Sequence, residues 1–423
     1  MSFNFKEEYT VQRNGAHMQD SKQSNNYIEY GTKSFKSVLF CLFLAGFSIF
    51  SSLYCVQPMM PILADFFNVS ATHSSFPLSI STIALAFGLL ITGFISDKFG
   101  RKSIMTVALL SVALLLLISA CLPYWSLFLI TRIFVGLAVS GVAAVAMTYI
   151  GEEIAKKDIG LAIGLYISGT AIGGMGGRFI AGVLVDFVSW QTATIVIGLI
   201  NLFIALIFYK KLPASQHFKR YSFKFSRFSS SFIDNLKDSK LKLLFLQGFI
   251  LMGCFVSIFN YMSFHLLDSP FNLSQAWIGC LSVVYLAGIY SAPRAAAWGR
   301  KWGRHSILPW MLVGMIMGIL LMFSNLLFVV SIGLLIFTFA FFAGHSTASS
   351  WVSIQALRYK AVGSSLYLFS YYLGSSILGS LSGIVWEYGK WNGLLFFIII
   401  LLLLGLLIAW KLKQLTVNEQ RSA

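Results

Sequence analysis

An all-α polytopic membrane protein, with twelve transmembrane helices in two pseudo-symmetric six-helix halves, is the fold class this sequence predicts. Three observations carry that expectation. The 423 residues are 57% hydrophobic and only 11% charged, whereas an ordinary soluble domain carries about 25% charged residues. Apolar runs of about twenty residues recur along the chain, each long enough to cross a bilayer core. The second half of the chain also repeats features of the first at a fixed offset.

Taken in order between polar breaks, the apolar runs place spans at 37–58, 76–96, 104–121, 126–150, 160–185, 191–209, 241–265, 275–296, 305–323, 326–353, 361–386 and 391–412. Residues 1–36 read as a polar cytoplasmic tail with the composition of a disordered segment. Residues 37–209 form the first six-helix half, 210–240 a basic cytoplasmic central loop, 241–412 the second half, and 413–423 a second cytoplasmic tail.

Charge placement orients the bundle. With the amino terminus inside, 28 of the 31 Lys and Arg fall in inner segments, Lys390 alone falls outside, and Arg132 and Arg178 lie within spans. Such asymmetry is the positive-inside signature of an inner membrane protein with both termini in the cytoplasm. The net charge of +16 is therefore topological, with a secondary attraction to anionic lipid, and nucleic-acid binding is not expected.

Other function classes find little support. All five cysteines sit in apolar segments without metal-ligand spacing, so neither a disulfide framework nor a metal site is expected. The chain has no His-Glu-x-x-His and no P-loop, and its histidines are scattered, which argues against a polytopic enzyme or an ATP-driven pump. No cofactor is implied. The first apolar run is too long for the core of a cleavable signal peptide.

The repeat has an offset of 201 residues: Leu165-Tyr166 matches Leu366-Tyr367, Gly173 matches Gly374, Gly182 matches Gly383, Asp186 matches Glu387 and Trp190 matches Trp391. A second echo pairs the loop Gly93 to Lys102 with Ala296 to His305, Arg300 standing where the first copy has Asp97. Parallel repeats of this kind place a substrate path between the halves near the bilayer midplane.

The segment Gly93-Phe-Ile-Ser-Asp97-Lys-Phe-Gly100-Arg101-Lys102 resembles the signature loop of the major facilitator superfamily, and Arg132-Ile-Phe-Val-Gly136 resembles its fourth-helix motif. More narrowly, Leu53 to Pro61, Gly141 to Tyr149 and Ser364 to Ser376 resemble the YnfM-type group of bacterial efflux transporters. The likeness runs from about residue 30 to 412. It implies a secondary active transporter, coupled to protons, that moves small molecules out of the cell by alternating access, and a monomer is expected. An importer or uniporter of a polar metabolite, such as a sugar or nucleoside, is the alternative within the same class.

The resemblance also implies roles for the loop. Asp97 would sit against the amino end of the eleventh helix, whose partial positive charge favours a carboxylate, and Arg101 would pair with Glu152 or Glu153 at the inner end of the fourth. Together they would close a cytoplasmic gate. Gly93 and Gly100 would serve the tight turn, where glycine accepts positive φ and close approach.

Arg132 and Arg178 rest on physics. An Arg at a helix centre costs about 2.5–3.5 kcal/mol on insertion scales, so it faces protein or water, or else reaches to the headgroups. Arg132 begins an i+4 row with Gly136, Ser140, Ala144 and Thr148, a small-residue stripe suited to close helix contact. Gly169, Gly173 and Gly177 form a similar row before Arg178. Gly169 to Gly174 resembles the fifth-helix glycine motif of antiporters, with Thr170 in place of its proline, while close packing explains the same glycines. Arg178 is a candidate contact for an anionic or polar substrate.

None of the fifteen acids falls mid-span, so His345, in the polar patch Gly344 to Ser350, is the candidate for proton coupling. Its alternative is a neutral imidazole bonded to a hydroxyl. The cavity candidates are Tyr54, Gln57, Tyr166, Asn260, Trp351, Tyr367 and Tyr371, an aromatic lining with few charges that suits amphipathic or drug-like solutes.

Overall fold

The computed structural model describes residues 27–218, 232–356 and 360–422. The expectation of disorder for the extreme amino-terminal tail falls on residues outside these. Among the described residues twelve helices cross the bundle: α1 (Lys33–Phe67), α2 (Phe76–Phe99), α3 (Arg101–Ser119), α4 (Trp125–Glu153), α5 (Ile159–Phe187), α6 (Trp190–Lys211), α7 (Ser239–Leu267), α8 (Gln275–Trp302), α9 (Arg304–Leu321) and α10 (Leu327–Gln355), then α11 and α12, residues 360–389 and 391–422, which meet at Lys390 with φ 50° and ψ −150°. Their outward faces carry large apolar side chains such as Phe203, Trp310 and Phe396, the reverse of a water-soluble surface.

Three helices are interrupted. In α1 the segments Lys33–Tyr54 and Val56–Phe67 meet at Cys55. Pro58 lacks the N–H that Tyr54 would accept, so the ladder breaks there. The chain then resumes as helix and reaches nine residues beyond the expected end at 58, because a proline in the first turn costs no internal bond. In α4 the pause lies between Ala143 and Ala146. In α8 a 3₁₀ segment, Leu281–Val284, precedes Tyr285–Trp302.

Glycines set the closest helix contacts. A Cβ at Gly169, Gly173 or Gly177 of α5 would stand 2.3, 2.5 or 2.5 Å from the carbonyl oxygens of Phe43, Phe47 and Ser51 on α1. The second half repeats the device where a Cβ at Gly374 of α11 would stand 2.0 Å from the Phe249 oxygen on α7. Gly136 of α4 lies equally close to the Ser81 oxygen of α2, at 2.0 Å. The repeated glycines are thus places where backbones touch.

The described ends of the chain, Ile28 beside the end of α4 and Glu419 beside the start of α7, mark the end of the bundle that carries the α2–α3 turn. At the opposite end the halves are clamped twice. Asp186 at the end of α5 accepts from the backbone N–H groups of Gln275 (3.0 Å) and Ala276 (2.8 Å) at the start of α8. Glu387 at the end of α11 accepts from the N–H (3.2 Å) and hydroxyl (2.6 Å) of Thr72, in the short turn Ala71–Ser74 before α2. Deeper in, Ser380 donates to Ser79 at 2.8 Å, and the Thr82 and Ser376 hydroxyls share a bond of 2.7 Å. At the basic end the ion pairs of Arg101 with Asp97 and Glu152, and of Lys240 with Glu419, each stay within one half.

The tails depart from the expected outline. Thr32 caps α1, so that helix starts at Lys33 rather than 37. Ile28 makes backbone bonds to Glu153 and Ala155, strapping this segment to the end of α4. The carboxyl-terminal tail continues α12, where Glu419 pairs with Lys240.

Candidate functional site

At the basic end, Gly100 has φ +91° and turns the chain between α2 and α3, while Gly93 lies within α2. The turn points Arg101 back into protein, where it is 3% exposed. It donates to both oxygens of Glu152 (3.0 and 2.7 Å), to Asp97 at 2.6 Å and to the Ser96 hydroxyl at 2.6 Å. Of the two expected acids, only Glu152 pairs with it. Glu153, one residue on and therefore about 100° further around the helix, is buried and accepts the His217 backbone N–H at 3.0 Å, with the imidazole 3.2 Å away. Asp97 has its described partner in Arg101, inside the same half. The chain just ahead of α11, residues 357–359, lies outside the described residues.

Arg132 is fully buried and does not reach the headgroups. Its guanidinium donates to three backbone oxygens, Pro77 (3.3 Å), Ser52 (3.2 Å) and Leu53 (3.1 Å). The last two lie in the turn of α1 just ahead of the Pro58 break. The Arg132 carbonyl also accepts from Ser81 at 2.8 Å. Arg132 therefore ties α1, α2 and α4 together.

Arg178 lies between the halves. Its Nε donates to Gln57 Oε1 at 2.6 Å and its Nη1 to the Gly174 carbonyl at 2.6 Å. Gln57 in turn donates to Asn260 Oδ1 across the half interface at 2.6 Å. The guanidinium carbon sits 4.2 Å from the Tyr54 ring, 4.8 Å from Tyr285 and 5.1 Å from Phe259, within cation–π range. Arg178 Nη2 and Asn260 Nδ2 are buried with no hydrogen-bond partner. A cavity of about 20 Å³ adjoins Arg178 and Gln57.

His345 forms a second group nearer the basic end. Its Nδ1 lies 3.0 Å from the Tyr367 hydroxyl, and its ring centre 4.5 Å from that of Tyr371. The hydroxyl it meets is thus that of a tyrosine on α11. Phe341 stacks toward His345 at 6.2 Å and on Phe255 at 3.8 Å, and Phe255 reaches Tyr285 at 5.6 Å. These rings run unbroken from the Arg178 cluster to the His345 cluster.

Five of the seven cavity candidates therefore gather here: Tyr54, Gln57 and Asn260 at Arg178, and Tyr367 and Tyr371 at His345. The other two do not. Tyr166 is buried where its carbonyl faces Gly46 of α1, and Trp351 is buried without a ring contact to either group among the described residues. Sequence reasoning missed Phe255, Phe259, Tyr285 and Phe341, which look like ordinary span aromatics until folding stacks them. A larger groove, about 540 Å³, lies between α2, α3 and α4 with Val107, Leu114 and Phe134 in its walls. It opens to the outer apolar surface, away from the half interface.

Residues 42–379 match the family profile described as Major Facilitator Superfamily. The inner membrane transport protein YnfM of Escherichia coli (strain K12) is 45% identical over 396 residues, 94% of this chain and 95% of that protein. An uncharacterized transporter of Buchnera aphidicola (subsp. Schizaphis graminum) is 45% identical, covering 90% and 93% respectively. In three dimensions the chain is similar to a bacterial homolog of the human lysosomal transporter Spinster, with a TM-score of 0.74 at 13% identity, over 91% of this chain and 98% of that one.

Proposed function

The chain belongs to the major facilitator superfamily, and from that premise we propose that this membrane transporter is a proton-coupled exporter of amphipathic small molecules working by alternating access. The observation that carries the reading is the unequal contact between halves. They are clamped by Asp186 and Glu387 at one end, while at the other end the ion pairs of Arg101 and Lys240 each stay within one half. By the positive-inside rule the basic end faces the cytoplasm, so the end where solute would enter is the one opposite the Asp186 and Glu387 clamps.

In this mechanism the solute enters from the basic end and meets the aromatic path. Rocking of one half against the other then releases the Asp186 and Glu387 clamps and closes the basic end. The Asp97–Arg101–Glu152 cluster keeps the α2–α3 turn rigid against α4, so the loop moves as one body and presents Asp97 to the approaching second half. His345 supplies the titratable group for coupling, since no carboxylate lies mid-span and Tyr367 orients its ring. One proton crossing 100 mV supplies about 2.3 kcal/mol, enough for a roughly fiftyfold solute gradient.

The test uses inverted membrane vesicles with an imposed pH gradient and a panel of organic acids, neutral amphiphiles, sugars and lipophilic cations. Uptake of one class by the wild type is expected, abolished in Asp97→Asn and uncoupled from pH in His345→Gln. Wild-type flux in Asp97→Asn would remove the gate assignment, and unchanged pH dependence in His345→Gln would remove the coupling one.

A further inference from the structure

We propose that Arg178 is the recognition group for an anionic substrate, a carboxylate carried on an aromatic or other apolar body. The inference rests on the half interface being the substrate path, and it narrows the solutes that path accepts.

The argument starts from an imbalance. A buried charge is ordinarily paired and fully hydrogen-bonded, yet Arg178 is 2% exposed and has no carboxylate within ion-pair distance among the described residues. Its Nε and Nη1 are held by neutral acceptors, Gln57 and Gly174, and Nη2 has none. The rings of Tyr54, Tyr285 and Phe259 offset part of the charge but leave the Nη2 edge unbonded. An incoming carboxylate supplies both the missing countercharge and a strong acceptor, and charge-assisted bonds of this type are the strong ones.

The rest of the site selects what the anion is attached to. The cavity beside Arg178 and Gln57, about 20 Å³, holds one water or a small polar head, so the body of the solute lies elsewhere. The ring path through Phe255 and Phe341 to His345 and Tyr371 leads away from Arg178 toward the basic end. These rings are buried and packed on one another, so a flat apolar body behind the carboxylate would take its place among them as the halves part. A cationic solute would meet the Arg178 guanidinium, with no acid in contact with the Arg178 or His345 group among the described residues.

The experiment uses the full-length protein in lipid nanodiscs and in inverted vesicles. The probes are matched sets sharing one skeleton: benzoate, benzamide and benzylamine, then the corresponding phenylacetate, indole-acetate and cinnamate sets. The expected result is that at least one carboxylate raises the unfolding midpoint and is taken up along the pH gradient, while its amide and amine do neither. Arg178→Gln should weaken that response about tenfold to a hundredfold, and Arg178→Lys should restore part of it. Equal responses to amides or amines, an undiminished carboxylate response in Arg178→Gln, or silence of every carboxylate on the wild type would each overturn the proposal. Carboxylate stabilisation without gradient-driven uptake would sink the exporter reading and leave the anion site standing. Amine uptake that Asp97→Asn abolishes would do the reverse.

Discussion

Arg132 and Arg178 are both buried inside the bundle, 1% and 2% exposed, and their surroundings differ in kind. Arg132 sits wholly within the first half, and its guanidinium reaches three backbone oxygens on two neighbouring helices. Arg178 sits where the halves meet, with one nitrogen unbonded and a side-chain amide as its cross-interface link. The same residue type is therefore a completed staple in one place and an incomplete site in the other. Completeness of hydrogen bonding, more than burial, separates the arginine that holds the fold from the one that awaits a partner.

The comparison breaks most visibly under Arg132→Met. That change takes a donor from the Ser52, Leu53 and Pro77 oxygens, and a buried polar group left short of its partner costs about 1–3 kcal/mol. A marked fall in yield and in the unfolding midpoint of purified protein is expected. Arg178→Met should hold that midpoint or raise it, because the change removes an uncompensated charge. An equal fall in both variants would show that Arg178 is a second staple and erase the distinction.

The sequence made the helices legible because a twenty-residue apolar run has few alternatives in a bilayer. Boundaries failed where a local rule was overridden, as at Pro58, which interrupts α1 without ending it. The site was legible only in part. Arg178, Gln57 and Asn260 each stood out as polar residues in apolar runs, but they lie 121 and 203 positions apart, and no periodicity joins residues that meet only when the halves pack. The match of Asp186 with Glu387 was visible as a repeat. What the sequence could not say is that each acid reaches across to the other half. The choice of Glu152 over Glu153 likewise turns on helix rotation.

An intermediate effect is expected at that crossing. Asp186→Asn weakens two bonds to the start of α8, and since the carboxylate is exposed the loss is about 1 kcal/mol, which moves a two-state equilibrium roughly fivefold. Thiol labelling of Ser282→Cys, a buried residue lining the small cavity beside Arg178, should speed up by that order in the Asp186→Asn background. An unchanged labelling rate would mean the clamp does not govern opening, and the contrast between the two ends would lose its energetic content.

The smallest effect sharpens the comparison within a single helix. Gly164 and Gly173 both lie in α5, but a Cβ at Gly164 meets nothing within 4 Å, whereas one at Gly173 would press on the α1 backbone. Gly164→Ala should stabilise the protein by about 0.4–1 kcal/mol, because alanine loses less backbone freedom on folding. Gly173→Ala forces α1 and α5 apart and should cost about 1–3 kcal/mol. Unfolding midpoints measured in parallel decide the matter. If Gly164→Ala is destabilising as well, the lower part of α5 needs flexibility rather than space, and its glycines act as a hinge for the rocking half.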